Sequence, residues 1–359
     1  MLSIEMLPAC NGDCLWITYG TASARHHVLI DGGYQSTGEL VRDRLAADAA
    51  LRFELFILTH IDGDHISGSI QLFADDELSA ARVGGVWFNG WQHLIDVPEA
   101  DDSLGAKQGE FFSAVLTKKK IAWNAAFDGA AVMIPGDGPL PTCTLPGGMK
   151  LTLLSPDAPG LRALRASWKA ELKKAKIKPG DLDAAMKLLL DDTAFDTDEL
   201  GGFDVDKLVS AKFHEDDSAT NGSSIAVLAE YDGHRLLLTG DAPPSAVAAA
   251  LRRHGVTDEA PLALDVLKLS HHGSKNNTSP ALLGLLDYRH VLVSTNGDRF
   301  HHPDDEALAR VIHGRNNVEL HFNYETPYTK PWLDRVRQKK WHYQADVGSK
   351  GQYLLTVAR

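Results

Sequence analysis

The sequence is poor in cysteine: Cys10, Cys14 and Cys143 are the whole complement in 359 residues. So few thiols in so long a chain exclude a disulfide framework and point to a reducing, cytoplasmic setting. Cys10 and Cys14 flank an Asn-Gly-Asp turn and read as small apolar residues at strand ends. No apolar run approaches the ~20 residues that span a bilayer, so no membrane role is expected. The start, "MLSIEMLPACNGDCLWITYG", has neither a basic n-region nor a small-residue cleavage site. It reads as strand, turn and strand rather than as a signal peptide. Excess positive charge is also missing. The net charge is −12, which argues against sequence-independent coating of long duplex DNA. Repeats and low-complexity tracts are absent as well.

What is present is a globular composition, 44% apolar and 23% charged, long enough to bury a full core. The first ninety residues alternate β-rich runs with glycine turns ("LSIEML", "CLWITYG", "HHVLIDGG", "RFELFILTH", "VGGVWFNG"). One helical pattern interrupts them, "TGELVRDRLAAD", with Thr37 as its expected N-cap and Leu40, Val41 and Leu45 on one face. Residues 91–140 read as helix, then loop. Strand character returns at "GMKLTLLSPD". The block 157–217 is different. "RALRASWKAELKKAKIKP" is strongly basic, "DLDAAMKLLLDD" is helical, and an acidic stretch follows to Asp217. Its basic helix could meet a phosphate backbone, but a solvated face paired with the acidic stretch is the preferred reading. Beyond it, "YDGH" marks a hairpin turn, and strands then alternate with helices. Two αβ halves with their sheets face to face make a four-layer αβ/βα sandwich, an α/β fold. The expectation is a single domain over 1–359 with insertions at 91–140 and 157–217.

The chemistry concentrates in "LTHIDGDHISG". Directly after an apolar strand it sets His60, Asp62, Asp64 and His65 within six positions. Imidazoles and carboxylates are the usual ligands of divalent cations. Helix capping would account for the aspartates but for neither histidine. Two pairs of donors across a flexible Gly63 suggest two metal ions.

This His-x-Asp-x-Asp-His pattern resembles the His-x-His-x-Asp-His signature of the metallo-β-lactamase superfamily. Further motifs follow in that family's order. "VLIDGG" resembles its first motif, which makes Asp31 a carboxylate that orients the ligands. "LLLTGDA" resembles the strand ending in a bridging aspartate, Asp241. "LKLSHHGS" resembles the strand ending in the last ligand, assigned here to His271. With "STNGDRFHHPDDEAL", the set is similar to the metallo-β-lactamase-like domain of bacterial competence (DNA-uptake) proteins, which is regarded as a nuclease. In this chain that domain would stand alone.

Two departures from the superfamily matter. Asp62 replaces a histidine, and Asn221 stands about where the third-motif histidine is expected. The resemblance then implies one ion held by His60, Asp62, Asp241 and Asn221. The other is held by Asp64, His65, Asp241 and His271. The first set is rich in oxygen, which moves preference from zinc toward manganese or magnesium. The expected cofactors are therefore two divalent ions, Mn²⁺ in at least one position and Zn²⁺ allowed in the other.

The implied reaction is hydrolysis by a hydroxide shared between the ions, with Asp64 also orienting the nucleophile. His272, Ser274 and Lys275 could grip a phosphate oxygen, although Ser274 and the residues after it would serve equally as helix caps. His302, rather than His301, is the expected proton donor to the leaving group. His26, His27, His290 and His321 are read as non-catalytic.

The first reading is thus a metal-dependent phosphodiesterase or nuclease with a nucleic acid or nucleotide as substrate. A two-metal hydrolase of carbon esters, thioesters or lactams is the alternative. A non-catalytic metal-binding scaffold that presents 157–217 to a protein partner is the third.

Overall fold

A computed structural model describes residues 1–75, 78–94, 106–174, 178–180 and 205–358. The helix expected in "DLDAAMKLLLDD" and part of each insertion lie outside the described residues. In chain order the first half contains β1 (Leu2–Met6), β2 (Leu15–Gly20), β3 (Arg25–Ile30), α1 (Gln35–Ala47), β4 (Leu55–Ile57), α2 (Gly63–Ala74), β5 (Val86–Trp87) and α3 (Ala106–Lys118). Next come β6 (Thr142–Thr144), β7 (Lys150–Ser155), α4 (Ala158–Lys174), α5 (Val205–Val209), β8 (Ala226–Tyr231), β9 (His234–Leu238) and α6 (Pro244–Arg253). The chain ends with β10 (Leu262–Lys268), α7 (Pro280–Gly284), β11 (Leu286–Val293), α8 (Asp305–Ile312), β12 (Val318–Phe322), α9 (Arg335–Trp341), β13 (Tyr343–Val347) and β14 (Tyr353–Val357).

The strands form two sheets. One has the order β14-β1-β2-β3-β4-β5, the other β13-β12-β11-β10-β9-β8-β7-β6. Each sheet is antiparallel at one end and parallel at the other. The short apolar runs show why the sheets stack. Along β3, Val28 and Ile30 enter a core shared with Leu228, Leu237, Val266 and Val291 of the second sheet. Leu29, between them, points the other way and packs with Val41 and Leu45 of α1, Ile66 and Phe73 of α2, and Phe112 of α3. A strand covered on both faces needs apolar residues on both. Val247 and Leu251 of α6 and Leu308 and Ile312 of α8 join the core around the second sheet. The result is the four-layer αβ/βα sandwich.

The hairpin turn is where the sequence puts it. Asp232 (φ 50°) and Gly233 (φ 84°) link β8 to β9 in a two-residue turn with both residues left-handed, the conformation that suits strand twist. The start of α1 is not. The helix begins at Gln35 after Tyr34, and the Thr37 hydroxyl donates to the Pro8 carbonyl at 2.9 Å instead of capping.

The described parts of the two insertions pack together. The basic helix α4 sends Leu161, Leu164, Trp168 and Leu172 into the core beneath α3, and Trp168 Nε1 donates to Glu110 Oε1 at 3.2 Å. Each such apolar side chain contributes about 1.5–3 kcal/mol of burial. One face of this helix is therefore structural. Arg165 lies 4.1 Å from the ring centroid of Trp91, so that tryptophan takes part in packing.

Candidate metal centre

The site is built where strands of both sheets end. The chain leaves β4, passes His60 and Asp62, and turns into α2, whose first turn carries Asp64 and His65. Asp62 precedes that helix but makes no side-chain cap. Its Oδ2 instead lies 3.6 Å from His60 Nε2 and accepts from the Thr220 hydroxyl at 3.2 Å. The capping account of this aspartate therefore fails.

Each imidazole is held by its outer nitrogen. Asp31 is fully buried and left-handed (φ 59°). Its Oδ1 accepts from the Thr59 amide at 2.7 Å, and its Oδ2 from the Thr59 hydroxyl and His65 Nδ1 at 2.8 Å each. The Thr59 proton is thus committed to Asp31, so His60 Nδ1, 2.9 Å from Thr59 Oγ1, is the donor in that contact. Both rings then carry a proton on Nδ1 and turn Nε2 into the cleft, the atom a metal would bind.

Four histidines converge on one carboxylate. Asp241 Oδ2 lies 3.7 Å from His60 Nε2, 3.6 Å from His65 Nε2, and 3.8 Å from Nε2 of both His271 and His272. Burial disfavours the charged carboxylate, but His65, His271 and His272 hold its pKa well below the usual range. Burial likewise opposes charge on His65, and there the Asp241 and Asp31 carboxylates prevail and raise the pKa.

The paired histidines do not divide as the sequence suggests. His272, expected on the substrate side, is buried. Its Nδ1 lies 3.0 Å from the Ser294 carbonyl, and its Nε2 lies 3.3 Å from His65 Nε2 and 3.6 Å from Asp64 Oδ2. His272 therefore occupies the inner position, among the candidate donors, where the sequence reading expects His271. His271 sits farther out, with Nδ1 3.2 Å from Asp216 Oδ2 and 3.0 Å from Asn277 Oδ1. The backbone explains the exchange. His271 (φ 47°) and His272 (φ 55°) are both left-handed, a strain of about 1–3 kcal/mol each. Alternation along an extended strand does not describe such a turn.

Two buried groups of donors result, His60–His65–Asp241 and Asp64–His65–His272, each with ligand atoms within 4.8 Å of one another. They share His65. Their fit to cations shows in atoms left without partners: His60 Nε2, Asp241 Oδ1 and Asn221 Oδ1 are buried and form no hydrogen bond. A buried polar atom left unpaired costs about 1–3 kcal/mol, and a cation in the cleft would satisfy all three. The donor set suits two divalent ions. Asn221 is oriented by its amide nitrogen, which donates to Asp216 Oδ2 at 2.6 Å.

The remaining expected residues are spread around this centre. Ser274 is buried, and its hydroxyl accepts from the Asn276 amide at 3.2 Å. It shapes the turn instead of facing a substrate. Lys275 is exposed at the rim, with Nζ 3.4 Å from Glu306 Oε1. The His302 ring lies 5.4 Å from that of His271, while His301 stacks on Tyr328 at 5.1 Å. Burial lowers the His302 pKa, with Asp304 opposing.

Three contributors escape a reading of the sequence. Asp13, in the turn before β2, lies 3.5 Å from His272 Nδ1 and 2.7 Å from the buried Lys268 ammonium. Asp216 gathers His271, Asn221 and Asn277. Ser224 accepts from the Asp241 amide at 3.0 Å and contacts His60 Nδ1 at 3.2 Å. In the sequence Asp216 is one more acid in an acidic run and Asp13 one more turn residue.

No family model matches the chain. ComE operon protein 3 of Bacillus subtilis is 28% identical over 140 residues, a match covering 34% of this chain. The match takes in 17% of that relative's length. Among solved structures, a candidate metal-dependent hydrolase from Parabacteroides distasonis aligns over 89% of this chain and 92% of its own, with 12% identity and a TM-score of 0.37. CmlA, a diiron β-hydroxylase from Streptomyces venezuelae, aligns over 99% of this chain and 54% of its own, with 13% identity and a TM-score of 0.41. The two sheets stack as the four-layer αβ/βα sandwich expected of the metallo-β-lactamase fold, the donor clusters lie between them, and over 34% of its length the chain is similar to a bacterial competence protein.

Proposed function

We propose that this protein is a two-metal hydrolase that cleaves phosphodiesters, with single-stranded nucleic acid or nucleotides as its substrate class. One observation carries the reading. Four histidine nitrogens meet at Asp241, with Asp62 and Asp64 beside them. His60, Asp62, Asp241 and Asn221 would hold one ion, and Asp64, His65, Asp241 and His272 the other. The oxygen-rich first set favours Mn²⁺ there, with Zn²⁺ suited to the second. Bound divalent ions supply Lewis acidity and bring water toward its hydroxide form near neutral pH.

The chain's own residues do the positioning. Asp31 and the Ser294 carbonyl fix the imidazoles. Asp64, anchored by Asn11 Nδ2 at 3.1 Å, orients the attacking water. Lys275 offers an exposed cation to a non-bridging phosphate oxygen, and His302 supplies the leaving-group proton. Free thiols at Cys10, Cys14 and Cys143 fit a reducing cytoplasm, and no helix among the described residues is long and apolar enough to cross a membrane. The 157–217 segment is the proposed place for a partner.

The test is cleavage of end-labelled single-stranded DNA by protein stripped with EDTA and reloaded with Mn²⁺ or Zn²⁺, beside Asp241→Ala. The expected result is ion-dependent cleavage that the variant lacks. Inactivity on DNA, RNA and small phosphodiesters, with turnover of carbon esters, would overturn the reading. Inactivity on every substrate would favour the scaffold.

A further inference from the structure

A second set of ligating side chains lies outside the cleft. It sits where Tyr353 of β14, in the first sheet, meets β12 and β13 of the second. His290 is on β11, and Glu319 and His321 are on β12. The ladder pairs His290 with Glu319 and Leu292 with His321. Paired residues of a parallel ladder face the same way, as do residues two apart on a strand, so the three side chains share one face.

They also converge at atomic range. His290 Nδ1 lies 3.1 Å from His321 Nε2 and 3.4 Å from Glu319 Oε2. One ligand atom from each of the three lies within 4.8 Å of the others. The outer atoms are tied down. His321 Nδ1 lies 2.7 Å from Asp346 Oδ1 and 2.6 Å from the Tyr353 hydroxyl. That hydroxyl donates to the other Asp346 oxygen at 2.7 Å, so His321 carries a proton on Nδ1 and turns Nε2 toward the cluster. A carboxylate behind a histidine is how metal sites fix the ligand tautomer. Glu319 is held in the same fashion: Arg289 binds its Oε1 at 2.8 Å and leaves Oε2 for the centre of the cluster. A cleft of about 140 Å³ beside the cluster is lined in part by Glu319, His321 and Asp346.

We propose that His290 Nδ1, Glu319 Oε2 and His321 Nε2 bind a divalent cation of the zinc class, separate from the hydrolytic centre, with water as the fourth ligand. Two imidazoles and one carboxylate are a zinc donor set. The position suggests the role. β13 and β14 are the edge strands of the two sheets. The ion ties β11 to β12, and through Asp346 and Tyr353 it ties both to these edges. It staples the sandwich and takes no part in hydrolysis.

The experiment counts zinc. Full-length protein is stripped with EDTA, dialysed against Zn²⁺ and assayed for bound metal, beside His290→Gln, His321→Gln and Glu319→Gln. Each histidine variant is expected to hold one ion fewer than the wild type and to keep its hydrolytic activity. Glu319→Gln should weaken the affinity of the lost ion by about tenfold or more. Co²⁺ loading of the wild type should show tetrahedral absorption bands that fall in the same variants. Equal zinc counts in wild type and His290→Gln would overturn the proposal. His321 is the more deeply buried ring, so if His321→Gln fails to fold, His290→Gln decides.

Discussion

Lys268 Nζ lies 2.7 Å from Asp13 Oδ2, and both side chains are buried. The pair stands behind the metal centre, because Asp13 Oδ1 is 3.5 Å from His272 Nδ1. Burial would raise the Asp13 pKa, yet Lys268 and His272 hold it well below the usual carboxylate range. Removing one partner strands the other. Lys268→Met should therefore lower stability by about 3–5 kcal/mol, read by urea unfolding. The double variant Lys268→Met/Asp13→Leu should recover much of that loss. Asp13→Asn, which keeps the shape, should weaken metal binding about 10–100-fold by loosening His272. An Asp13→Asn protein with wild-type metal affinity would remove Asp13 from the site.

Without metal, the centre holds itself together with protons. Burial pushes the His272 pKa down, but Asp241 and Asp13 outweigh it and raise it to about 9. Burial pushes Asp64 up, but His272 and His65 bring it down to about 2. A raised histidine contributes stability that is complete below its ordinary 6.5 and lost as pH climbs toward 9. A lowered aspartate contributes stability that is present above its ordinary 3.8 and lost as pH falls toward 2. EDTA-treated protein should therefore be most stable between about pH 4 and 6.5, and lose on the order of 3 kcal/mol by pH 9. Ions displace the His272 proton, so metal affinity should rise over the same interval. Urea midpoints of stripped protein at pH 6 and 9 check this, and equal midpoints would show that His272 is uncharged.

The candidate metal donors could be read from the sequence because they are local. His60, Asp62, Asp64 and His65 lie within six positions and need only a strand followed by a helix. Asp31 and Asp241 stand just past strand ends, where such folds place polar groups. The choice between His271 and His272 was not legible, because it depends on two consecutive left-handed residues that strand alternation does not anticipate. Asp13 and Lys268 are 255 positions apart, and nothing local links them. Asp216 was hidden by its acidic neighbours. The apolar face of α4 was masked by its basic residues, although Leu161, Leu164, Trp168 and Leu172 follow helical spacing.

His302 gives a prediction that separates proton donation from packing. Its ring lies beside His271, and its buried Nδ1 forms no hydrogen bond. A proton donor matters most when the leaving group is a poor one. His302→Gln should lower kcat about 10²–10⁴-fold on an ordinary phosphodiester. It should change kcat little on bis(p-nitrophenyl) phosphate, whose leaving group needs no proton. An equal loss on both substrates would assign His302 to the shape of the cleft.

Helix α4 of the basic insertion meets the metal centre at a close backbone approach. Gly160, in the first turn of α4, faces the turn that carries Asn221, and a Cβ at this position would stand 2.2 Å from the Gly222 carbonyl oxygen. No rotamer relieves that clash, because the obstacle is backbone. Gly160→Ala must push the helix and the turn apart, with an overpacking cost of about 1–3 kcal/mol. If α4 only fills the core, the loss should stop at stability. If the helix also sets the Asn221 turn, the ion bound by His60 and Asp62 should weaken while the one bound by Asp64 and His272 holds. Mn²⁺ and Zn²⁺ titrations of Gly160→Ala, with Leu164→Ala as a core variant about one turn farther along the helix, separate the two outcomes. Selective weakening of one ion in Gly160→Ala alone is the expected result, and it would make helix α4, with Asp216, part of the metal centre's support.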